Sequence, residues 1–310
     1  MQNSNFIVIN PEKIEIAKHN MVRDGNEKLL ILSDFDKTLT KCFVDNKKID
    51  SVISILRDEH YLSADYSSKA QALFDKYHLI EVDQNIEIQE KSKLMQEWWS
   101  RHYELLAESG LNKKDLERVV DSKKLELRSG ASEFFSILMK NKIPLVILSA
   151  TGLGIDVISL YLKKAEQLYK NIKIASNKLN WDSNDKFVGV DEPIVHSLNK
   201  NYNLVKRFEF YDEIRNRNNI IFMGDSTSDI RMLDGLEYKN IIKIGFLNDR
   251  IDQNLSGFKE QYDVIIINDG SMDYIKSLMP DFGDFEKVYD AVIYNDGPMD
   301  FVNSILKTVV

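Results

Sequence analysis

An α/β architecture, with an open parallel sheet, crossover helices and a helical segment inserted after the first core strand, follows from three features of the 310-residue sequence. Short unbroken apolar runs recur along the chain. Stretches with apolar residues at helical spacing separate several of them, and one interval of more than a hundred residues contains no comparable run. Continuous rather than alternating hydrophobicity is what a strand covered by helices on both faces shows. Strands alternating with helices read as a parallel sheet with crossovers.

The runs, in order, are Leu29 to Leu32, Ile143 to Leu148, Ile172 to Ala175, Ile220 to Met223, Ile241 to Ile244 and Val264 to Ile267. Ala131 to Lys140 and Asp156 to Leu168 carry apolar residues at helical spacing and read as crossover helices. The long interval is dense in Lys, Glu, Leu and Tyr, and helices are predicted there over Ser67 to Tyr77, Gln89 to Glu108 and Lys113 to Ser122. Ser109 and Gly110 end the second of these, and Asn112 is placed as the N-cap of the third. Residues 44–127 are therefore read as a helical cap, and residues 1–43 and 128–310 as the core.

An internal repeat closes the chain: YDVIIINDGSMDYIKSLM (Tyr262 to Met279) returns as YDAVIYNDGPMDFVNSIL (Tyr289 to Leu306). Each copy reads as one strand, a turn and one helix. A single repetition is too little for a solenoid, and the second copy is expected to cap the sheet edge.

Composition narrows the function. The hydrophobic content of 43% supports a full core, and Gly and Pro are scarce, so neither disorder nor low complexity fits. A formal net charge of −8 argues against a nucleic-acid polymer as partner, because backbone affinity needs clustered Lys and Arg. A small anion needs only local cations, from a metal or one placed Lys. Cys42 is the single cysteine, read as a packed thiol, so no intrachain disulfide can form. The first twenty residues lack the basic flank and apolar stretch of a signal peptide, and no run approaches a membrane span. A cytosolic monomer or weak oligomer is expected.

The chemistry is concentrated in Ser33-Asp34-Phe35-Asp36-Lys37-Thr38-Leu39-Thr40, directly after the first apolar run. Carboxylates at i and i+2 of an extended segment point to the same side, into the region beyond the carboxyl ends of the strands where open parallel sheets bind ligands. By itself such a pair is weak, since the chain has 49 acidic residues. Two further runs strengthen it. Ile143 to Leu148 leads into Ser149-Ala150-Thr151-Gly152, and Ile220 to Met223 into Gly224-Asp225-Ser226-Thr227-Ser228-Asp229. Three strands thus deliver carboxylates and a hydroxyl to one rim. Asp229 equally suits a cap at the start of the following helix, and Ser149 and Lys200 alone would be ordinary.

DFDKTLT, the LSA step at Leu148 to Ala150, the isolated Lys200 in LNKN and GDSTSD together resemble the four motifs of the haloacid dehalogenase-like phosphatases. More narrowly, KYHLIEVD (Lys76 to Asp83), MQEWW (to Trp99), IPLVILSA, HSLNKN, MGDSTSDIRMLDG and IIKIGFLNDRID resemble the cytosolic pyrimidine 5′-nucleotidases, over roughly residues 28–279. The resemblance implies a Rossmann-like parallel-sheet core with an inserted helical cap, and Mg²⁺-dependent hydrolysis of a nucleoside monophosphate. It implies Asp34 as nucleophile and Asp36 as general acid and base. It further implies a metal held by Asp34, the Asp36 carbonyl and Asp225, with Asp229 in its outer shell. Ser149, the Ala150 amide and Lys200 would bind the phosphoryl oxygens.

Substrate choice is expected from the cap. Glu81 matches the family glutamate that contacts the base, and a carboxylate accepts hydrogen bonds from cytosine or uracil. Trp98 or Trp99 could stack on a base, or both could fill the cap's interior, and His102 shares the Trp98 face. The chain departs from the family at Lys37, usually Met, at Thr151, an extra residue before the GLG step, and at His102, where a serine of the animal enzymes lies near the base; the last bears on 7-methylguanosine monophosphate. A related phosphatase acting on phosphoserine, or a non-catalytic protein of this fold, are the rival readings, and phosphotransfer is not separable from hydrolysis.

Overall fold

The computed structural model describes residues 5–279 except 50 and 84. Its strands are β1 (Phe6–Val8), β2 (Leu29–Ser33), the paired β3 (Phe43–Val44) and β4 (Lys47–Lys48), β5 (Leu145–Leu148), β6 (Ile172–Ala175), the paired β7 (Leu179–Trp181) and β8 (Phe187–Val190), β9 (Asn219–Gly224), β10 (Asn240–Leu247) and β11 (Val264–Ile267). Seven of them form one sheet in the order β1-β11-β10-β9-β2-β5-β6. All its pairings are parallel except β1 with β11.

Every residue of β2, β5 and β9 is buried, in keeping with their unbroken hydrophobicity. β5 begins two residues later than the apolar run. The Ile143 amide closes the preceding helix on Leu138 O, Pro144 has no amide to give, and its carbonyl accepts from Ile31. The N-terminal β1 is a strand that hydropathy did not single out. Its three residues are half-buried, and it fills the outer edge of β11.

The helices are α1 (Pro11–Asp24), α2 (Val52–Asp58), α3 (Tyr66–Val82), α4 (Ile88–Glu108), α5 (Lys113–Asp121), α6 (Ala131–Lys140), α7 (Gly154–Lys164), α8 (Tyr202–Val205), α9 (Tyr211–Ile214), α10 (Ile251–Gln261) and α11 (Asp273–Leu278). α2 to α5 occupy the long interval between β2 and β5. Asn112 caps α5 as expected: its side chain accepts from the Lys114 amide, and Asp115 returns the bond to the Asn112 amide. α3 runs five residues past the expected Tyr77. Leu79 and Val82 in that extension are 70% and 57% exposed, so no apolar face marked it in the sequence.

The inserted helices do not form a separate interior throughout. Leu116 and Val119 of α5 and Val52 and Leu56 of α2 belong to the same buried cluster as Ile31, Ile147 and Phe134. Among the described residues of the insertion, Tyr77, Met95 and Trp98 make a small core of their own. Two short linkers join the insertion to the sheet: Thr40 bridges Leu127, the Lys41 amide donates to Glu126 O at 2.9 Å, and the Arg128 amide to Leu39 O at 2.9 Å.

The first copy of the C-terminal repeat is β11, a turn with Asn268 and Asp269 at φ 56° and 55°, and α11. The second copy, Tyr289 to Leu306, lies outside the described residues. The outer edge of β11 is paired by β1.

Candidate active site

The register of three adjacent strands assembles the site. Ser33 of β2 is level with Met223 of β9 and Ile147 of β5, so the residues that follow leave the sheet side by side. Asp34 follows β2, Ser149 follows β5, and Asp225 follows β9. The chain leaves β2 with neighbours joined in opposite directions along the sheet, the crevice at which such sheets take ligands. The Asp34 amide continues the pairing by donating to Met223 O at 3.1 Å.

Carboxylate oxygens of Asp34, Asp225 and Asp229 lie within 4.8 Å of one another. Lys200 Nζ bridges two of them, at 2.6 Å from Asp34 Oδ1 and 2.9 Å from Asp229 Oδ1. Lys37 Nζ lies 3.2 Å from Asp225 Oδ2. Burial, with the neighbouring Asp229 and Asp225 carboxylates, pushes the Asp34 carboxyl well above the usual range against the pull of Lys200. Burial likewise raises Asp225, with Lys37 opposing. For Lys200 burial works against the charge, and the Asp229 and Asp34 carboxylates outweigh it, so the ammonium is held above its ordinary value. A crowd of acids that the chain's own lysines only partly neutralise fits a divalent cation, and an all-oxygen donor set suits Mg²⁺.

Asp229 also caps its own turn. Its Oδ2 accepts from the Asp225 and Ser226 amides, each at 3.0 Å, leaving Oδ1 to Lys200. Asp36 turns towards the insertion, where its Oδ1 accepts from the Val52 amide in the first turn of α2 at 3.1 Å. Burial pushes the Asp36 carboxyl up to about 6, with Lys37 the main opposing influence. Ser149 is buried, and its Oγ accepts from the Thr151 amide at 3.2 Å; Ala150 beside it is half-buried. The Thr151 hydroxyl is buried and has no hydrogen-bond partner among the described residues.

The residues expected at the base divide. Glu81 sits inside the last turn of α3 rather than after the helix, with His78 Nδ1 at 3.1 Å and Ser197 donating from Oγ at 2.5 Å. Ser197 lies three residues before Lys200, so the insertion's carboxylate is tied to the loop that carries the ammonium. Trp98 is turned inward and stacked on Tyr77 with ring centroids 5.8 Å apart. Trp99 is the indole nearer the loop that follows β5: a Cβ on Gly152 would lie 2.5 Å from its ring. His102 stacks on Trp99 and meets Tyr66 OH at 3.1 Å through Nε2. Burial, reinforced by Arg57, depresses its pKa to about 4.

Arg128 carries no recognisable signal in the sequence. It is fully buried where the insertion returns to the sheet, and its guanidinium holds the loop after Asp34 by its carbonyls. Nε donates to Thr38 O at 2.8 Å, while Nη2 reaches the carbonyls of Lys37 and Thr40. Nη1 pairs with Asp269 at 2.9 Å, and Asp269 also accepts from the Cys42 and Phe43 amides. One carboxylate from the NDG turn thereby secures both linkers of the insertion.

A model of the pyrimidine 5′-nucleotidase (UMPH-1) family matches residues 37–283. The chain belongs to that pyrimidine 5′-nucleotidase family. Among its relatives, 7-methylguanosine phosphate-specific 5′-nucleotidase A of Xenopus laevis is 35% identical over 87% of this chain and 92% of its own length. The Homo sapiens 7-methylguanosine phosphate-specific 5′-nucleotidase is 30% identical over 87% and 89%. The structure of cytosolic 5′-nucleotidase IIIB bound to cytidine superposes with a TM-score of 0.79 at 29% identity, covering 89% of this chain and 93% of that one. Phosphoserine phosphatase superposes with a TM-score of 0.51 at 17% identity, a likeness of fold. This pyrimidine 5′-nucleotidase family member therefore has the α/β fold of the haloacid dehalogenase-like phosphatases and is a phosphoric monoester hydrolase of the 5′-nucleotidase type.

Proposed function

We propose that the protein hydrolyses pyrimidine nucleoside 5′-monophosphates, CMP and UMP, to nucleoside and phosphate through an aspartyl-phosphate on Asp34. The observation that carries this reading is the meeting of Asp34, Asp225, Asp229 and Lys200 at one sheet edge, beneath an insertion whose Glu81 is tethered to the Lys200 loop.

Asp34 attacks phosphorus, and the bond to the nucleoside 5′ oxygen breaks as Asp36 protonates that oxygen. Asp36 then takes a proton from the water that releases phosphate from Asp34. A carboxyl raised to about 6 suits both directions of transfer near neutral pH. Ser149, the Ala150 amide and Lys200 hold the phosphoryl oxygens and offset charge as it spreads in the transition state. Asp34, the Asp36 carbonyl and Asp225 would hold Mg²⁺, which would screen the approach of one anion to another, while Asp229 would orient the surrounding groups. The hydrogen bond from the Val52 amide ties the acid to the first turn of α2.

At the base, Glu81 accepts from the cytosine amine or the uracil ring N–H, and Trp99 offers the stacking face. A second reading is favoured by the curated relatives, whose names specify 7-methylguanosine phosphate. The positive ring of 7-methylguanine also donates to a carboxylate and stacks well on an indole.

Initial rates with CMP, UMP, 7-methylguanosine monophosphate, GMP and phosphoserine at equal concentration, with Mg²⁺, test the choice. The expected outcome is preference for CMP and UMP, and Glu81→Ala should raise their KM by about tenfold while leaving hydrolysis of a small aryl phosphate intact. Preference for 7-methylguanosine monophosphate selects the second reading, and preference for phosphoserine rejects both.

A further inference from the structure

Lys37 has no part in the mechanism above, yet the structure aims it at a metal-site carboxylate. Its ammonium lies 3.2 Å from Asp225 Oδ2, with its side chain 28% exposed. Its backbone adopts φ 58°, a region that a long L side chain enters only where its surroundings hold it. Here they do. The Lys37 amide donates to Thr40 Oγ1 at 2.9 Å, and its carbonyl accepts from Asn248 Nδ2 at 2.9 Å and from Arg128.

With Lys200 between Asp34 and Asp229, the pairing of Lys37 with Asp225 leaves none of the three clustered acids without an ammonium neighbour. Three carboxylates and two ammonium groups leave one net negative charge. A dication entering there meets the repulsion of both lysines and must share or displace the contact at Asp225. Lys200 cannot be spared, since it is needed at the phosphoryl group. Lys37 can move: it and Asp225 line a cavity of about 270 Å³ whose wall also carries Asn248, Asp249, Gln253 and Asn254. Those amides and the Asp249 carboxylate offer the ammonium another berth, although Asp249 is already paired with Lys48 at 2.7 Å.

We propose that Lys37 is an internal counter-cation that lowers the affinity of the Asp34–Asp225 site for divalent metal, so that cation binding displaces its ammonium from Asp225. The proposal rests on the metal site assigned under the proposed function. A unit charge a few ångströms from a dication changes affinity by roughly tenfold or more, and added salt weakens the effect.

The test is isothermal titration of the full chain with Mg²⁺, for the unsubstituted protein, Lys37→Met and Lys37→Arg, with melting temperatures recorded in parallel with and without Mg²⁺. Lys37→Met is expected to bind Mg²⁺ about tenfold more tightly and to gain more in melting temperature at a fixed Mg²⁺ concentration, while Lys37→Arg, which keeps the charge, stays close to the unsubstituted protein. A Lys37→Met affinity that is unchanged or weaker overturns the proposal. If the unsubstituted protein shows neither heat nor a melting shift with Mg²⁺, the metal site itself is overturned, a result distinct from failure of the Lys37 argument.

Discussion

Asp34 is buried with its charge only partly compensated, an arrangement that costs stability and that chemistry explains. A carboxyl enclosed beside two others is driven towards its neutral form, and Lys200 at 2.6 Å keeps a counter-charge against it. Asp34→Asn keeps the shape and removes the proposed nucleophile. Turnover should fall by several orders of magnitude, with a melting temperature equal to or above that of the unsubstituted protein, because a buried charge has been removed. Substantial activity in this variant, followed with CMP or an aryl phosphate, would remove the covalent mechanism. Ser149 and Thr151 show how much residue identity leaves open: both hydroxyls are buried beside β5, and only the Ser149 oxygen has a partner among the described residues.

α3 and α4 carry the next level of organisation, and their packing makes the insertion sensitive to acid. His102 on α4 and His196 in the Lys200 loop are each depressed from 6.5 to about 4, by burial first and, for His102, by Arg57 as well. Unfolded, both would take up a proton near the ordinary value. Between about pH 6.5 and 4 the unfolded chain therefore binds more protons than the folded one, and stability is lost as pH falls through that window and is complete above it. Each histidine contributes a slope of about 1.4 kcal/mol per pH unit there. Urea unfolding compared at about pH 6.5 and pH 5 should show His102→Gln losing less stability than the unsubstituted protein by roughly one histidine's share. Parallel losses in the two proteins would mean that His102 titrates normally.

Across the whole molecule, the sheet is closed at one end by its N-terminal strand. β11 is almost wholly buried, and its outer edge is paired by β1 in antiparallel register, Phe6 opposite Ile266 and Val8 opposite Val264. Phe6 also stacks on Tyr274 of α11 at 4.1 Å. Removing residues 1–9 would bare a flat apolar edge, a template for pairing between chains. The truncated protein should melt several degrees lower and show larger particles by light scattering, and an unchanged melting temperature with a monodisperse profile would contradict this role for β1. The same scale accounts for the insertion's dependence on the core. α2 and α5 bury Leu56 and Val119 in the cluster that covers the sheet, so the helices over the site rest on the strands that build it.

Much of this architecture is local information. The unbroken runs at Leu29 to Leu32, Ile220 to Met223 and Val264 to Ile267 became buried strands because strands covered on both faces must be apolar throughout. Asp34, Ser149 and Asp225 were legible because each lies within two residues of the end of such a run, and parallel strands end at one rim. Trp98 and Trp99 are adjacent and chemically identical, and no periodicity separates the one sealed against Tyr77 from the one set against Gly152. Arg128 looks like any charged residue near the end of an insertion, yet it is buried among carbonyls contributed by distant segments. Sequence alone determined the six parallel strands of the sheet and the acids beyond their ends, since hydrophobic burial and strand direction act over a few residues; the edge strand β1 and the two small hairpins were not legible in it. Tertiary structure decided which cation faces which acid and which side chains are sealed from solvent, because those are set by contacts between segments a hundred or more residues apart.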